Sequence, residues 1–371
     1  MYSESSARIA MHSRSFMNPE ARFSRDFSVA IVDYYVKELK HTGARLLDST
    51  AATGIRAIRY CKEAGISKAT CLEINRSAFK DLRANVARNR LRSRIEPIST
   101  SIQEFANTTK VKFDVIDLDP FGSPVPNIND LLKITSDGAL MMVTATDTAV
   151  LCGAQERACR KLYDSRPIHN KLCYESGARI LLGYIARQAA QFNFGIEVLA
   201  AFYNRHYIRA FVLASKGAKQ ASESIDQMGY VGYCTGCGNV KTAKGAYPKR
   251  LECDYCGREM QFYGRLWLGS IKSGAAAAYA SRYFGQSGYP KAEMRIAEAI
   301  NDEIAAPFYY HIPSITKLMK ARSVGVDEIM QRLSAAGYES SKTHFESSSV
   351  KSAAGIRDVR DAIENALKHK N

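Results

Sequence analysis

The segment Asp117–Ser123, which reads Asp-Leu-Asp-Pro-Phe-Gly-Ser, combines residue types that could do chemistry. It follows the run Phe113–Ile116, which is typical of a buried parallel strand, so we expect Asp119 at the carboxyl end of that strand. Ligands bind at that end of the strands in open α/β sheets. A carboxylate there, followed by Pro120 without an N–H and by the ring of Phe121, could hold a planar nitrogen group and stack on it.

The tetrad Asp-Pro-Phe-Gly at residues 119–122 resembles the Asp/Asn-Pro-Pro-Tyr/Phe motif of amino-methyltransferases. This resemblance makes transfer of a methyl group to nitrogen the first hypothesis. It leaves the acceptor open, because DNA adenine and protein glutamine methyltransferases use related tetrads. An assay of methyl transfer to tRNA, DNA and protein would separate these acceptors.

A second candidate site follows the predicted strand Arg45–Asp48. The stretch Asp48–Gly54 is rich in small residues that let the backbone approach a ligand, and the helix predicted from Ile55 offers N–H groups at its start. Its spacing is not a full Gly-x-Gly-x-x-Gly, so an ordinary strand-to-helix turn fits it equally well. Glu73, about 20 residues further on, stands where an acidic side chain commonly binds ribose hydroxyls. Together these features predict a site for an adenosine-containing ligand.

Residues before the first strand could cover that ligand. The segment Arg25–Ser28 combines charge with an aromatic ring, and Arg25 could bind a carboxylate of the ligand through its bidentate fork. We therefore predict a cofactor lid over residues 1–44. The alternative is a helix cap, because Asp26 or Ser28 could cap a helix that begins at Val29.

From about Arg45 to Ser215, short apolar runs alternate with helical patterns, which indicates a parallel sheet flanked by helices. The last two runs, Glu197–Tyr203 and Tyr207–Ala214, predict an antiparallel hairpin. This α/β pattern resembles the class I S-adenosylmethionine-dependent methyltransferase fold, a Rossmann-like sheet with a terminal antiparallel hairpin. The predicted strands are Arg45–Asp48, Thr70–Glu73, Phe113–Asp119 and Ala139–Thr144, and the predicted helices are Ile55–Ala64, Ser77–Arg90 and Ala178–Gln191.

Four of the nine cysteines have the spacing C-x2-C-x15-C-x2-C, and a glycine follows each pair. Two such knuckles supply four thiolates for a closed, tetrahedral, structural Zn²⁺ site. The alternatives are redox cysteines or a degenerate site. The other five cysteines are scattered and are interpreted as reduced structural residues. The predicted metal ligands are Cys234, Cys237, Cys253 and Cys256.

The chain has 371 residues and a formal net charge of +15. Such an excess indicates an anionic partner, most commonly a nucleic acid among soluble ones, unless the charge serves only solubility. No stretch approaches the roughly 20 apolar residues that span a bilayer. Residues Met1–Arg14 lack the apolar core of a signal peptide. We expect a monomeric, cytoplasmic protein that does not bind membranes.

The length allows two domains. The stretch Lys216–Met228, rich in Ser, Lys and Gln, predicts a linker between them. We place a catalytic domain at residues 45–218 and a smaller zinc-containing α+β domain at residues 219–371, with the knuckle at 234–256. Late in the second domain, Tyr338–Phe345 and Lys351 suit phosphate and ribose contacts, although such a cluster is as often a polar loop.

Taken together, these residues resemble the tRNA (guanine-26-N2)-dimethyltransferase family, known as Trm1, and specifically its archaeal members. The resemblance implies S-adenosylmethionine as the donor and N2 of guanosine 26 in tRNA as the acceptor, which becomes N2-methyl- and then N2,N2-dimethylguanosine. It makes residues 219–371 a tRNA-binding domain. The motifs that carry it are Asn18-Pro19, Arg25–Ser28, Asp48–Arg56, Asp119–Pro124, Thr144–Asp147, the cysteine quartet and Ser341–Phe345.

The resemblance also implies roles for individual residues. From the chemistry of that acceptor, with the guanine flipped out of its stem, we hypothesise that Asp119 accepts one N2–H, the Pro120 carbonyl accepts the other, and Phe121 stacks on the base. Where the family usually has an Asp-Ala pair at the adenine, this chain has Ser101-Ile102, so Ser101 or the backbone would bind it. The implied cofactor site comprises Arg25, Phe27, Asp48, Thr53, Arg56, Glu73, Ser101 and Ile102.

Two other classes of protein stay open on the sequence. A zinc-containing RNA-binding module with a vestigial sheet would not bind S-adenosylmethionine, and the presence of Asp119, Glu73 and Arg25 argues against it. A nicotinamide dehydrogenase fits the alternation of strands and helices. The terminal hairpin and the incomplete glycine pattern argue against that class.

Overall fold

The computed structural model describes residues 2–11, 17–286 and 289–368. Its elements begin with β1 (Tyr2–Glu4), β2 (Ala7–Ile9), a 3₁₀ turn (Pro19–Ala21), α1 (Arg22–Lys37), β3 (Arg45–Asp48), α2 (Ile55–Glu63), β4 (Lys68–Leu72), α3 (Arg76–Arg88), β5 (Ile95–Ile98), α4 (Ile102–Thr108), β6 (Phe113–Leu118), α5 (Val125–Lys133) and β7 (Thr135–Ala145). They continue with α6 (Thr148–Leu151), α7 (Glu156–Tyr163), α8 (Cys173–Gln191), β8 (Phe194–Asn204), β9 (Tyr207–Lys216) and α9 (Ala218–Ile225). The remainder comprises β10 (Met228–Tyr233), β11 (Val240–Lys244), β12 (Gln261–Trp267), α10 (Gly274–Gly285), α11 (Lys291–Asp302), β13 (Tyr310–His311), α12 (Ile312–Leu318), α13 (Val326–Ala335), β14 (Ser340–Lys342), β15 (Ser349–Ser352) and α14 (Ile356–Lys368).

Seven strands form the central sheet, in the order β5-β4-β3-β6-β7-β9-β8. All are parallel except β9, which is antiparallel to both of its neighbours. This topology confirms the predicted fold class, a doubly wound sheet that ends in an antiparallel hairpin. The strand order reverses beside β3, so the crevice for a ligand is expected where β3, β4 and β6 end.

Helices cover both faces of the sheet. One apolar cluster joins α4, α5 and α8 to one face, and a second joins α1, α2, α3, α10 and α11 to the other. All four predicted strands and all three predicted helices are present. The bounds of Arg45–Asp48 are exact and those of the others are shifted; α8, for example, begins at Cys173 rather than Ala178. It has 19 residues, and neither it nor any other helix in the described ranges is long and apolar enough to cross a membrane.

Helix α1 is part of the core rather than a mobile cover. Of its 16 residues, 14 are buried, from Phe23 to Val36. Because α1 packs between the sheet and α10, the prediction of a lid does not hold for Arg22–Lys37. Of the described residues in 1–44, those that line the candidate site are Met17, Asn18 and Ala21 before this helix and Ser24 and Arg25 in its first turn. Residues 1 and 12–16 of the predicted lid lie outside the described residues.

The C-terminal part contains two three-stranded sheets, β11-β10-β12 and β13-β15-β14. A third apolar cluster joins the cysteine knuckles to α12, α13 and α14. The predicted linker Lys216–Met228 is wrong, because Ala218–Ile225 forms α9 and buries Ala221 and Ser224 against β8 and α8. Since α10 and α11 pack on α1, the chain beyond residue 218 also completes the core of the first half. The division at residue 218 stays a prediction.

Candidate active site and metal centre

A cavity of about 750 Å³ opens where β3, β4 and β6 end. It is therefore at the position that the sheet topology favours for a ligand. Its walls also include Met17, Asn18 and Ser24 from the segment around the start of α1. Nine of the predicted catalytic and cofactor residues line it, namely Arg25, Thr53, Arg56, Glu73, Ser101, Ile102, Asp119, Pro120 and Phe121.

The loop between β3 and α2 forms the floor of the cavity with its backbone. Gly54 begins α2 with a φ of +79°, which favours glycine, and a Cβ there would lie 2.5 Å from Cδ1 of Leu82. The Glu73 carboxylate is oriented by this loop: its Oε2 accepts from the Ala52 N–H at 2.9 Å and its Oε1 from the Asn75 N–H at 2.6 Å. Each carboxylate oxygen has two lone pairs, so Glu73 can accept further hydrogen bonds from a ligand.

Asp119 is clamped by Arg56. Both hydrogen bonds from the guanidinium go to Oδ2, from Nε at 2.9 Å and from Nη2 at 2.6 Å, and the Asp119 side chain keeps 30% of its surface exposed. Burial acts to raise the pKa of Asp119, but Arg56, Arg209 and the Thr144 hydroxyl outweigh it and hold the pKa below its usual value. The site therefore presents a fixed, ionised carboxylate whose Oδ1 receives neither Arg56 hydrogen bond.

A buried charge network supports this carboxylate from below. Arg209 donates to Thr144 Oγ1 at 2.7 Å and pairs with Asp117 Oδ1 at 2.9 Å, while Tyr60 donates to Asp117 Oδ2 at 2.6 Å. Burial first, and then the neighbouring Asp117, raises the pKa of Asp48 to about 7. With Asp48 protonated, the two carboxylates of Asp117 and Asp119 balance the two guanidiniums of Arg56 and Arg209.

Phe121 stands at the mouth of the cavity with 77% of its surface exposed. The turn that carries it is fixed from the neighbouring strand end, because the Gly122 N–H donates to Thr146 Oγ1 at 2.7 Å and the Thr146 N–H donates to the Gly122 carbonyl at 2.9 Å. The Ser123 and Tyr163 hydroxyls lie 2.8 Å apart, and Tyr163 donates to Asp147. An aromatic face is thus held in place where a planar group could stack on it.

Two predicted cofactor residues do not reach the cavity. The Phe27 ring is fully buried among other aromatic rings, 5.0 Å from the Phe202 centroid and 5.5 Å from that of Phe211, because it faces the core side of α1. Asp48 ends β3 beneath the loop and is also buried. Neither side chain lines the cavity, so both assignments as cofactor contacts are corrected.

Arg25 lines the cavity, but its fork is already occupied. Its Nε and Nη2 donate to the two carboxylate oxygens of Glu4 at 2.7 and 2.6 Å, and its Nη1 donates to the Asn18 carbonyl at 2.9 Å. Arg25 therefore fastens β1 and the segment around Asn18 to α1. Bidentate binding of a ligand carboxylate would require it to release Glu4.

Ser101 is engaged as the N-cap of α4, where its Oγ accepts from the Glu104 N–H at 3.1 Å. Its hydroxyl proton remains available as a donor to the cavity that it lines. Ile102, beside it, gives the cavity an apolar surface. These positions fit contact with a heterocyclic base. That the base is adenine stays a prediction.

Several cavity residues were given no role in the site by the sequence analysis. They are Thr144 and Thr146, which belong to the motif Thr144–Asp147, and His206 and Tyr207. Thr144 and Thr146 stand at the end of β7, beside Asp119 at the end of β6, so the strand-end rule could have found them. Arg209 carried a different signal, because it is a charged residue within the apolar strand β9. A charge at such a position is tolerated only when it is paired.

The late cluster predicted to contact phosphate or ribose is largely an interior network. Lys351 is fully buried and pairs with Glu175 of α8 at 3.1 Å and with Glu303. The Glu303 carboxylate also accepts from the Thr343 hydroxyl at 3.1 Å and pairs with His344. Thr343 and Phe345 are buried as well. The prediction that Lys351 contacts RNA is therefore wrong: this lysine neutralises two acidic groups between the halves of the chain.

The four knuckle cysteines converge. All four Sγ atoms lie within 4.8 Å of one another, with Cys234 and Cys256 at 3.4 Å and Cys237 and Cys253 at 3.6 Å. Sulfurs around a tetrahedral Zn²⁺ are about 3.8 Å apart, so the donor set and its size fit such an ion. The glycine after each pair has a positive φ, as a tight knuckle requires. The cluster could hold a metal ion and lies away from the cavity at the strand ends.

Comparisons with known proteins agree over almost the whole chain. A family model described as N2,N2-dimethylguanosine tRNA methyltransferase matches residues 2–364. The curated tRNA (guanine(26)-N(2))-dimethyltransferase of Methanothermobacter thermautotrophicus is 30% identical over 368 residues, covering 97% of this chain and 95% of that protein. The protein of the same name from Thermococcus kodakarensis is 32% identical over 368 residues, covering 94% and 93%. The structure of Trm1 from Pyrococcus horikoshii with S-adenosyl-L-methionine superimposes with a TM-score of 0.88 at 29% identity, covering 96% of this chain and 97% of that one. The chain therefore belongs to the N2,N2-dimethylguanosine tRNA methyltransferase family.

Proposed function

We propose that this protein transfers methyl groups from S-adenosylmethionine to the exocyclic N2 of guanosine 26 in tRNA, producing N2-methyl- and then N2,N2-dimethylguanosine. The observation that carries the proposal is the ionised Asp119 carboxylate beside the exposed Phe121 ring, at the mouth of the strand-end cavity. In a member of this family, that pair has the chemistry to hold a flipped guanine.

The cavity fits the methyl donor. The carboxylate of Glu73 is oriented for the ribose hydroxyls, the Ala51–Gly54 backbone allows close approach, and Ser101 with Ile102 offers a hydroxyl and an apolar surface to the adenine. When bound, the donor supplies a methyl group on a positively charged sulfur. We propose that Thr53, Arg56 and Arg25 complete this site, with Arg25 acting through the segment that it fastens.

The chain's own residues then orient the acceptor. Guanine N2 is a poor nucleophile because its lone pair is delocalised into the ring, so its position must be fixed before reaction. Phe121 stacks on the flipped base, Asp119 accepts one N2–H, and the Pro120 carbonyl accepts the other. The clamp from Arg56 keeps Asp119 in one place during this contact.

The lowered pKa of Asp119 determines when it takes a proton. A carboxylate with a pKa below its usual value does not remove a proton from neutral guanine. As the N–C bond forms, the bond between the methyl group and sulfur would break and leave a neutral thioether. N2 then becomes cationic and strongly acidic, and Asp119 can accept its proton and pass it to solvent. The monomethylated base keeps one N2–H, so the same contact with Asp119 serves the second transfer.

We assign tRNA binding to residues 219–371 and a Zn²⁺ ion to the cysteine knuckles, which stabilise that part of the chain. We propose that the enzyme is monomeric. We place it in the cytoplasm, with its tRNA substrate. Size-exclusion chromatography with light scattering tests the monomer.

The test of the function is methylation of tRNA transcripts by the pure protein, followed by nucleoside mapping. Wild type should give dimethylguanosine at position 26, no product on a transcript with adenosine 26, and none on DNA or protein. Asp119→Ala and Asp119→Asn should lose methyl transfer while binding S-adenosylmethionine with wild-type affinity in calorimetry. An active Asp119→Ala enzyme, or product only on another acceptor, would overturn the proposal.

A further inference from the structure

A second cavity, of about 490 Å³, lies where the segment before α8 meets the cysteine knuckles and α12. His169, Lys171 and Tyr174 come from the catalytic half of the chain. Tyr233 and Gly238 come from the knuckle region, each next to a cysteine of the cluster. None of these residues has a part in the methyl-transfer site described above.

The polar groups of this second cavity suit a nucleotide. Lys171 keeps 60% of its side chain exposed and forms a long ion pair with Glu346, at 3.7 Å, which a phosphate could replace. The His311 Nδ1 accepts from the Ser314 N–H at 3.2 Å. Because Nδ1 is an acceptor, the proton of the neutral ring is on Nε2, a donor for a base edge. Burial lowers the pKa of His311, which favours this neutral form. Tyr174 and Tyr233 add aromatic surface, and RNA-binding proteins commonly combine such rings with basic groups.

Two links connect the second cavity to the methyl-transfer site. Tyr174 stacks on Tyr203 with centroids 4.1 Å apart, and Tyr203 donates to the carbonyl of Arg205, whose neighbour His206 lines the first cavity. The helix α6 separates Thr146 of the first cavity from Cys152 of the second.

From this placement we infer that the second cavity binds a further nucleotide of the tRNA, near the flipped guanosine. The inference rests on the proposed function, because it names a second contact with the same RNA. A neighbouring base stacks on the tyrosines, His311 donates to its edge, and Lys171 holds its phosphate. Since the cavity joins the two halves of the chain, occupying it places the RNA against both.

Two variants test the cavity directly. Lys171→Ala removes the proposed phosphate contact, and Ser314→Tyr fills the space; each should weaken tRNA binding about fivefold or more and raise KM for tRNA, with kcat and the affinity for S-adenosylmethionine unchanged. Lys171→Ala should also reduce the slope of log affinity against log salt by about 1. Lys110→Ala is the matched control, because Lys110 is an exposed lysine in the loop before β6, at the amino end of that strand and outside residues 219–371.

Cys173 gives a measurement on the unmodified protein. It lines the second cavity and begins α8, and a hydrogen bond with Cys152 lowers its pKa against the opposing effect of burial. Alkylation by iodoacetamide, followed by mass spectrometry of each cysteine peptide, should be about fivefold slower at Cys173 when tRNA is bound. Excess free guanosine monophosphate should not reproduce this protection.

The outcomes separate the two proposals. Equal Cys173 alkylation with and without tRNA, together with wild-type tRNA affinity in folded Lys171→Ala and Ser314→Tyr proteins, overturns the second site while methylation of guanosine 26 stands. Protection by free guanosine monophosphate but not by tRNA overturns the assignment to RNA. Failure of the wild-type protein to methylate guanosine 26 overturns the proposed function, and protection of Cys173 by tRNA would still support an RNA contact there.

Discussion

The guanidinium of Arg56 donates two hydrogen bonds to a single carboxylate oxygen of Asp119, Oδ2, at 2.9 and 2.6 Å. These residues are 63 positions apart, one at the start of α2 and one just after β6. The contact fixes the carboxylate and lowers its pKa, while the loop with Phe121 is fixed separately through Gly122 and Thr146. The acceptor site is therefore built before any ligand binds.

Arg56→Lys tests this arrangement, because it keeps the charge and removes the fork. We expect kcat for tRNA methylation to fall about 100-fold, the scale of a misplaced catalytic group. In wild type the pKa of Asp119 is held low, so loss of the fork raises it and the acidic limb of the kcat–pH profile moves to higher pH. Arg83→Lys, on the exposed side of α3, is the control. An unchanged acidic limb with an unchanged kcat would contradict the role of Arg56.

The placement of Asp119 and Glu73 could be predicted because it depends on local pattern: an apolar strand, its end and the residues that follow. Phe27 and Lys351 were assigned wrongly for the opposite reason. The surroundings of Phe27 come from Phe202 and Phe284, and the partner of Lys351 is Glu175, 176 residues earlier in the chain. Whether an aromatic ring or a lysine faces solvent or the core depends on such distant contacts, which spacing does not reveal. The same limit explains the linker that proved to be α9.

Asp48→Asn tests the buried charge balance under the site. Burial and Asp117 raise the pKa of Asp48 to about 7 from an ordinary 3.8, so the folded state holds a proton that the unfolded state releases within that window. The stability of wild type should therefore fall as pH rises from about 4 to about 7 through this group, and then stay constant. Asn carries no charge, so the stability of the variant does not fall in this way. Relative to wild type, its free energy of unfolding should rise by up to about 4 kcal/mol across the same pH window.

Chemical denaturation of both proteins at a series of pH values measures this difference. The control is Asp361→Asn, at an exposed position of α14, which should have the same free energy of unfolding as wild type at every pH. A stability difference between Asp48→Asn and wild type that does not change with pH would show that Asp48 is ionised in the folded protein.

The cysteine cluster predicts one bound Zn²⁺ per chain, measurable by elemental analysis of the purified protein. Chelation, or Cys253→Ser, should lower the free energy of unfolding of the C-terminal part by several kcal/mol, because a structural metal is coupled to folding. Affinity for S-adenosylmethionine should stay at the wild-type value, since the residues of that cavity all lie between Met17 and Tyr207. Cys152→Ser is the control outside the cluster. A metal-free protein with unchanged calorimetric unfolding would contradict a structural ion.

Lys351→Met tests whether the buried ion pairs hold the two halves of the chain together. The substitution leaves Glu175 and Glu303 in the interior without their shared cation, which should destabilise the protein by about 3–5 kcal/mol. The matched control is Lys342→Met, whose pair with Asp327 is 2.8 Å long but exposed, at 54% and 73%, and should contribute at most about 1 kcal/mol. Denaturant titration of the wild type and both variants at about pH 7.5 measures the two differences in the free energy of unfolding.

The pH dependence of that loss separates ion pairing from packing. Burial acts to raise the pKa of Glu303, but His344 and Lys351 outweigh it and hold the pKa below the ordinary 4.5. The stability from this pairing is therefore present above pH 4.5 and is lost as pH falls. In Lys351→Met the carboxylates of Glu175 and Glu303 protonate more readily. The difference in free energy of unfolding between this variant and wild type should therefore become smaller towards acidic pH. If Lys351 only fills space, Lys351→Met, which nearly preserves volume, should cost little stability at any pH. A loss that is small, or that does not change with pH, would contradict stabilisation by the ion pairs.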